Sequence, residues 1–196
     1  MRKIYFLLFV CLFSSSLLQA QKNEVGFTMS LLSNNSLLRF GDSYFDDADY
    51  RVGNSITIGL TYVKPLKKWL DIETGIELLK CNASVHSIIP GYSENAHYGY
   101  ISILNLPVGL RVNFLKYCFI NGGILFDVDV SQNSTVDNQT GLGAQLGVGV
   151  KYDFKTGLSL FINPYTKGHA LVSSSFNGNS LHLFESAIRF GVTYHF

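Results

Sequence analysis

Ser180, His182 and Glu185 are the residues of this chain that come nearest to the nucleophile, base and acid of a hydrolase or acyltransferase. Such an enzyme needs the serine oxygen within reach of the imidazole and the carboxylate on the far ring nitrogen. Side chains alternate faces along an extended strand. Ser180 and His182 therefore share a face and Glu185 points to the opposite one. The expected role of His182 is that of an interfacial side chain, and no catalytic residue is assigned.

Two further groups could hold a cation or a partner. His86, Glu94 and His97 fall in one polar segment, and Asp42, Asp46, Asp47 and Asp49 crowd another. Neither has the spacing of a ligand set, and the acidic run lacks the alternating Asp/Asn frame and glycine of a calcium loop. No metal and no cofactor are expected. Tyr44, Phe45 and Tyr50 lie among those acids, a mixture of rigid aromatic anchors and charge suited to contact with a surface partner.

The remaining charges have a regular place. Asp71, Glu73, Glu77, Arg111, Lys151, Glu185 and Arg189 each alternate with Leu, Ile, Val or Phe, the period-2 signature of strands with one apolar and one polar face. The pattern runs through Val25–Leu31, Ser55–Tyr62, Leu70–Leu78, Leu104–Val112, Ile120–Val128, Ala144–Tyr152, Leu158–Tyr165 and Phe184–Phe196. No segment keeps a helical period. The expectation is an all-β protein, an eight-stranded antiparallel up-and-down transmembrane β-barrel.

Alternation does not say which face is inside, because a soluble calyx would bury the apolar one. Position-specific features favour the membrane. Tight turns at Pro65–Lys68, Asn113–Lys116 and Asp153–Gly157 alternate with long segments at Asn34–Arg51, Cys81–His97, Ser131–Thr140 and Gly168–Ser180, matching the short periplasmic turns and long outer loops of such barrels. Tyr62, Trp69, Phe114, Tyr117, Tyr152, Phe154, Tyr194 and Phe196 gather at the short-turn end, the depth that amphipathic rings prefer. Tyr98, Tyr100, Phe126 and Phe184 are expected at the other interface.

With lipid outside, ionised groups line the lumen. Isolated charges there would be costly. The expectation is two ion-pair layers, Asp71 and Glu73 with Arg111 and Lys151 below, and Glu77 and Glu185 with Arg189 above. Asp127 and Asp129 are placed at the wet outer mouth.

Met1–Ala20 has Arg2 and Lys3, an apolar run from Ile4 to Phe13 and a small-residue end, the order of a secretory signal peptide. Residues 21–196 then form the barrel domain. Loss of Arg2 and Lys3 takes the 15 basic residues to 13 against 14 acidic ones, a formal charge of −1. That balance gives no electrostatic footprint for nucleic acid. The 18 glycines and 15% charged residues suit a narrow lumen better than a helical core. Cys81 and Cys118 map to opposite strand ends, too far apart to bridge, and are expected to be free thiols.

Leu104-Asn-Leu-Pro-Val-Gly-Leu-Arg-Val112, Gly141-Leu-Gly-Ala-Gln-Leu-Gly-Val-Gly-Val-Lys-Tyr152 and the terminal Phe190-Gly-Val-Thr-Tyr-His-Phe196 resemble the PorT-like family of small outer-membrane β-barrel proteins. The resemblance spans nearly all of residues 21–196. It implies an outer-membrane barrel with a proline inside the fourth strand, here Pro107, and brings no functional residue with it.

The resulting expectation is a non-enzymatic protein of the outer membrane. It presents outer loops for surface binding, or supports the envelope. An outer-leaflet lipid hydrolase or acyltransferase and a narrow porin-like cation channel are the alternatives. Its partners would be outer-membrane lipids, the assembly machinery that reads the strand ending in Phe196, and a surface partner at the loops.

Overall fold

The computed structural model describes residues 22–39, 48–87, 97–131, 137–173 and 181–196. The signal segment, Ser180, Glu94, Asp42, Asp46, Asp47, Tyr44 and Phe45 lie outside the described residues. Eight strands follow in chain order: β1 (Glu24–Arg39), β2 (Ala48–Lys67), β3 (Leu70–Ser87), β4 (His97–Phe114), β5 (Cys118–Asp129), β6 (Gly141–Asp153), β7 (Leu158–Ser173) and β8 (Leu181–His195). Each pairs antiparallel with the next, and β1 pairs with β8, so the sheet is a closed barrel. Closure removes the two free edges that an open sheet would present.

The outward face is apolar around the whole circumference. Phe27, Ile58, Leu110, Ile124, Leu146, Leu160 and Val192, spread over seven strands, are all exposed. A contiguous apolar surface of that extent exceeds what a soluble monomer carries. The solvent that matches it is hydrocarbon. Trp69, Phe114, Tyr117, Tyr152, Phe154, Tyr194 and Phe196 are exposed at the short-turn rim. There Tyr152 stacks on Tyr117 at 5.8 Å and meets Phe154 edge-on at 4.9 Å.

Several strands outrun their sequence pattern. β1 continues to Arg39, β2 starts at Ala48, β3 continues to Ser87, and β7 absorbs Thr166–Ser173. Beyond the apolar band the outward face leaves the hydrocarbon while the inward face stays packed in the barrel, so pairing persists where alternation fades. β1 also changes phase: the register shifts between Leu31 and Asn34, Leu32 takes φ 55°, and Ser33 turns to the lumen. The walls are unequal in height, with 18 to 20 residues in β2, β3 and β4 but 12 and 13 in β5 and β6.

Proline shapes the ladder locally. Between Thr74↔Val108 and Glu77↔Asn105 the β3–β4 register has no paired residues, opposite Pro107, whose carbonyl accepts the Thr74 hydroxyl at 2.9 Å. A missing N–H is the reason. Cys81 and Cys118 are both free thiols.

Candidate functional site

The contents of the lumen change with height. At the short-turn mouth, Lys151 Nζ lies 2.7 Å from Glu24 Oε1 and 3.4 Å from Asp153 Oδ1. Thr193 donates to Glu24 Oε2 at 3.0 Å. These contacts tie β6 and β8 to the start of β1. A polar vestibule of about 320 Å³ opens here, lined by Lys68, Asp71, Asn113, Lys116 and Lys151, and reaches as far as Phe119.

A cationic layer sits deeper. Arg111 Nη2 is 3.0 Å from Glu73 Oε2, and Arg189 Nη2 is 2.8 Å from Glu73 Oε1. The Arg111 guanidinium lies 4.5 Å from the Phe119 ring centre and 5.4 Å from that of Phe161. Arg189 lies 5.6 Å from Phe161. Two cations on one carboxylate, packed on two ring faces, combine ion pairing with cation–π attraction in a desolvated space. Glycine makes room for the rings: a Cβ on Gly149 would come within 2.4 Å of Phe119, and one on Gly191 within 2.2 Å of Phe161.

Glu77 pairs with Arg189 at 3.4 Å and with Lys167. Above it, Glu185 accepts from Tyr165 at 2.9 Å, Thr57 at 3.0 Å and Ser55 at 3.1 Å. His169 lies between two carboxylates, 3.3 Å from Asp127 and 3.6 Å from Glu185.

The outer half is apolar. Leu79, Cys81, Ala83, Ile101, Ile103, Leu181 and Leu183 form one buried cluster, with Leu37 and Val52 packed against it. Gln139 seals its edge by donating to the Leu181 carbonyl at 2.7 Å and accepting from Leu183 N at 3.0 Å. Asp129 in turn accepts from Gln139 N at 2.9 Å, and Asp137 from Leu181 N at 2.9 Å. The segment between β5 and β6 is thereby bonded to β8.

The anticipated layers are partly redrawn. Glu73 and Arg111 are brought together, but Asp71 bonds to Asn113 at 2.6 Å and Lys151 turns to Glu24 and Asp153. Arg189 reaches Glu73 and Glu77, while Glu185 is held by His169 and three hydroxyls. Asp127 is not in the wet mouth: it is 2% exposed. The cause is the extra length of β7, which turns inward at Ala170 (φ 47°), where the Ala170 amide donates to Asp127 at 3.0 Å. Lys167 and His169 were missed because that stretch reads as loop. Their alternation with Thr166 and Gly168 was the available signal.

His182, expected on the lipid face, is buried. A serine–histidine–acid grouping does occur, at the opposite end of the barrel. Ser159 Oγ lies 2.6 Å from His195 Nε2, and His195 Nδ1 lies 3.8 Å from Glu24 Oε1. Ser159 is 0% exposed and donates to Asp153 Oδ1 at 2.5 Å. A hydroxyl already committed to a carboxylate, with no access for substrate, is a structural clamp. His86, His97 and Asp49 fall in β3, β4 and β2. Among the described residues no group of three or more His, Cys, Asp or Glu side chains is placed to hold a metal.

No family model matches the chain, and no curated protein matches it in sequence. Among solved structures it is similar to outer membrane protein AlkL in DMPC lipid bilayers, with TM-score 0.58 and 13% identity over 90% of each chain. It is also similar to outer membrane protein OprG from Pseudomonas aeruginosa, with TM-score 0.54 and 12% identity over 90% of this chain and 96% of that one. The narrower resemblance to PorT-like proteins gains no support from these comparisons. What they share with this chain is the fold of a small outer-membrane β-barrel.

Proposed function

We propose that the protein is a non-enzymatic barrel of the outer membrane, a closed scaffold that carries its outer segments to a surface partner or braces the envelope. One observation carries this reading. The lumen is blocked twice, by the Glu73–Arg111–Arg189 layer on Phe119 and Phe161 and by the apolar cluster above it. A narrow eight-stranded interior filled by side chains leaves no path for ions. The apolar outer belt and the fold shared with AlkL and OprG support the membrane location; β8, with Phe190, Val192 and Tyr194 exposed and Phe196 just past its end, is the strand offered to the assembly machinery.

Recording in planar bilayers tests the closed lumen: no steady conductance is expected, and a stable open level would return the reading to a cation channel. Capture of partners from intact cells, with residues 40–47 present or deleted, tests the display role. Loss of a specific partner on deletion is the supporting result.

A further inference from the structure

Among the strand residues whose exposure is defined, Lys80 is the one charged side chain on the outward face above the short-turn rim. It lies ten residues along β3 from Leu70, where the strand leaves its turn. At about 3.3 Å per residue and a tilt of about 40°, ten residues climb about 25 Å, the height of the apolar band. The ammonium is therefore level with the outer headgroups.

Its surroundings change from apolar to polar at that height. The row below is Ile58–Leu78–Leu104, its own row is Ile56–Lys80–Ser102, and the next is Asn82–Tyr100. All of these but Leu104 border a groove of about 640 Å³, with Ile56, Ile58 and Leu78 beneath and Asn54, Asn82 and Tyr100 above. The wall is uneven here because the β2–β3 register shifts between Val52 and Ser55 and small Ser102 stands opposite Lys80, while Tyr100 projects at 70% exposure. No described carboxylate forms an ion pair with Lys80.

We infer that this groove is a binding site for one outer-leaflet lipid with an anionic phosphate headgroup, its acyl chain on Ile56, Ile58 and Leu78 and its phosphate on Lys80. A lysine stem can lie along apolar surface while its head stays at the interface. A phosphate within reach of an unpaired ammonium gains a charge-assisted hydrogen bond. Asn82 and Tyr100 supply further polar groups one row above it. The assignment rests on the membrane placement proposed above.

Native mass spectrometry of the folded barrel, released from micelles of a neutral detergent, counts the lipids it retains. The protein is expected to keep one dioleoyl phosphatidic acid under conditions that strip dioleoyl phosphatidylcholine. Lys80→Gln should lower that retention about fivefold, Lys64→Gln at the opposite rim should not change it, and inorganic phosphate should not displace the lipid. Ser102→Phe, which fills the groove and keeps the charge, should also lower retention. Equal retention by Lys80→Gln and the unaltered protein, or displacement by inorganic phosphate alone, would overturn the site. Folded protein that stays dispersed in water without detergent would instead sink the membrane placement itself.

Discussion

Arg189 on β8 reaches across the lumen to Glu73 on β3, with Nη2 2.8 Å from Oε1, although the two strands are not neighbours in the barrel. The contact joins opposite walls, as does the pairing of Arg189 with Glu77. Arg189→Ala would leave Glu73 with Arg111 as its cation, beside Asn121 at 3.3 Å, and Glu77 with Lys167. Breaking one partner of a buried pair costs about 3–5 kcal/mol. The urea midpoint of the micelle-bound barrel, followed by Trp69 fluorescence, should fall clearly for Arg189→Ala and stay in place for the exposed turn substitution Lys155→Ala. An unchanged midpoint for Arg189→Ala would mean the bridge is not structural.

Gly191 and Phe161 face each other across the β7–β8 ladder, and a methyl on Gly191 would stand 2.2 Å from the ring. Overpacking of this kind costs about 1–3 kcal/mol. Gly191→Ala should therefore destabilise the barrel in Phe161-containing protein and much less in a Phe161→Leu background. Additive effects in the double-mutant cycle would show that the ring moves aside freely.

Asn105 is 0% exposed, and neither atom of its amide has a hydrogen-bond partner among the described residues. An unsatisfied buried polar group carries a desolvation cost that an apolar side chain of similar size avoids. Asn105→Leu is predicted to raise the unfolding free energy by about 1–2 kcal/mol. A lower stability would show that the amide is satisfied in the membrane-bound protein.

The barrel was legible in the sequence because lipid on one side and charge on the other impose strict alternation; Glu73, Arg111 and Arg189 could be assigned to the lumen once the loop asymmetry and the aromatic bands had set which face meets lipid. Pairing was harder. Long side chains such as Arg189 span the lumen, so their partners depend on tilt and on rotamers that spacing does not encode. His169 and Lys167 were hidden for another reason: β7 rises beyond the hydrocarbon, where Gly168 and Ala170 break the apolar rhythm. The apolar outer lumen was legible only by parity: Leu79 shares a face with Glu77, and Ile101 and Ile103 share one with Asn105, but their apolar neighbours Leu78 and Leu104 blur the alternation there.

Ser159 and His195 form the arrangement most easily taken for an active site, and burial separates the two readings. Ser159 donates to Asp153 and has no exposed surface, so a fluorophosphonate probe should leave it unlabelled in the folded protein. Ser159→Ala should remove a hydrogen bond shared by Asp153 and His195 and lower stability by about 1–3 kcal/mol. It should not alter hydrolysis of a chromogenic ester, which is expected to stay at the rate of the detergent blank with or without the hydroxyl. Covalent labelling of Ser159 together with ester turnover lost in Ser159→Ala would convert the clamp into a nucleophile and overturn the non-enzymatic reading. Stability lost without labelling or turnover is the result the geometry requires, because a serine sealed between a carboxylate and an imidazole can hold β7 to β8 but cannot meet a substrate.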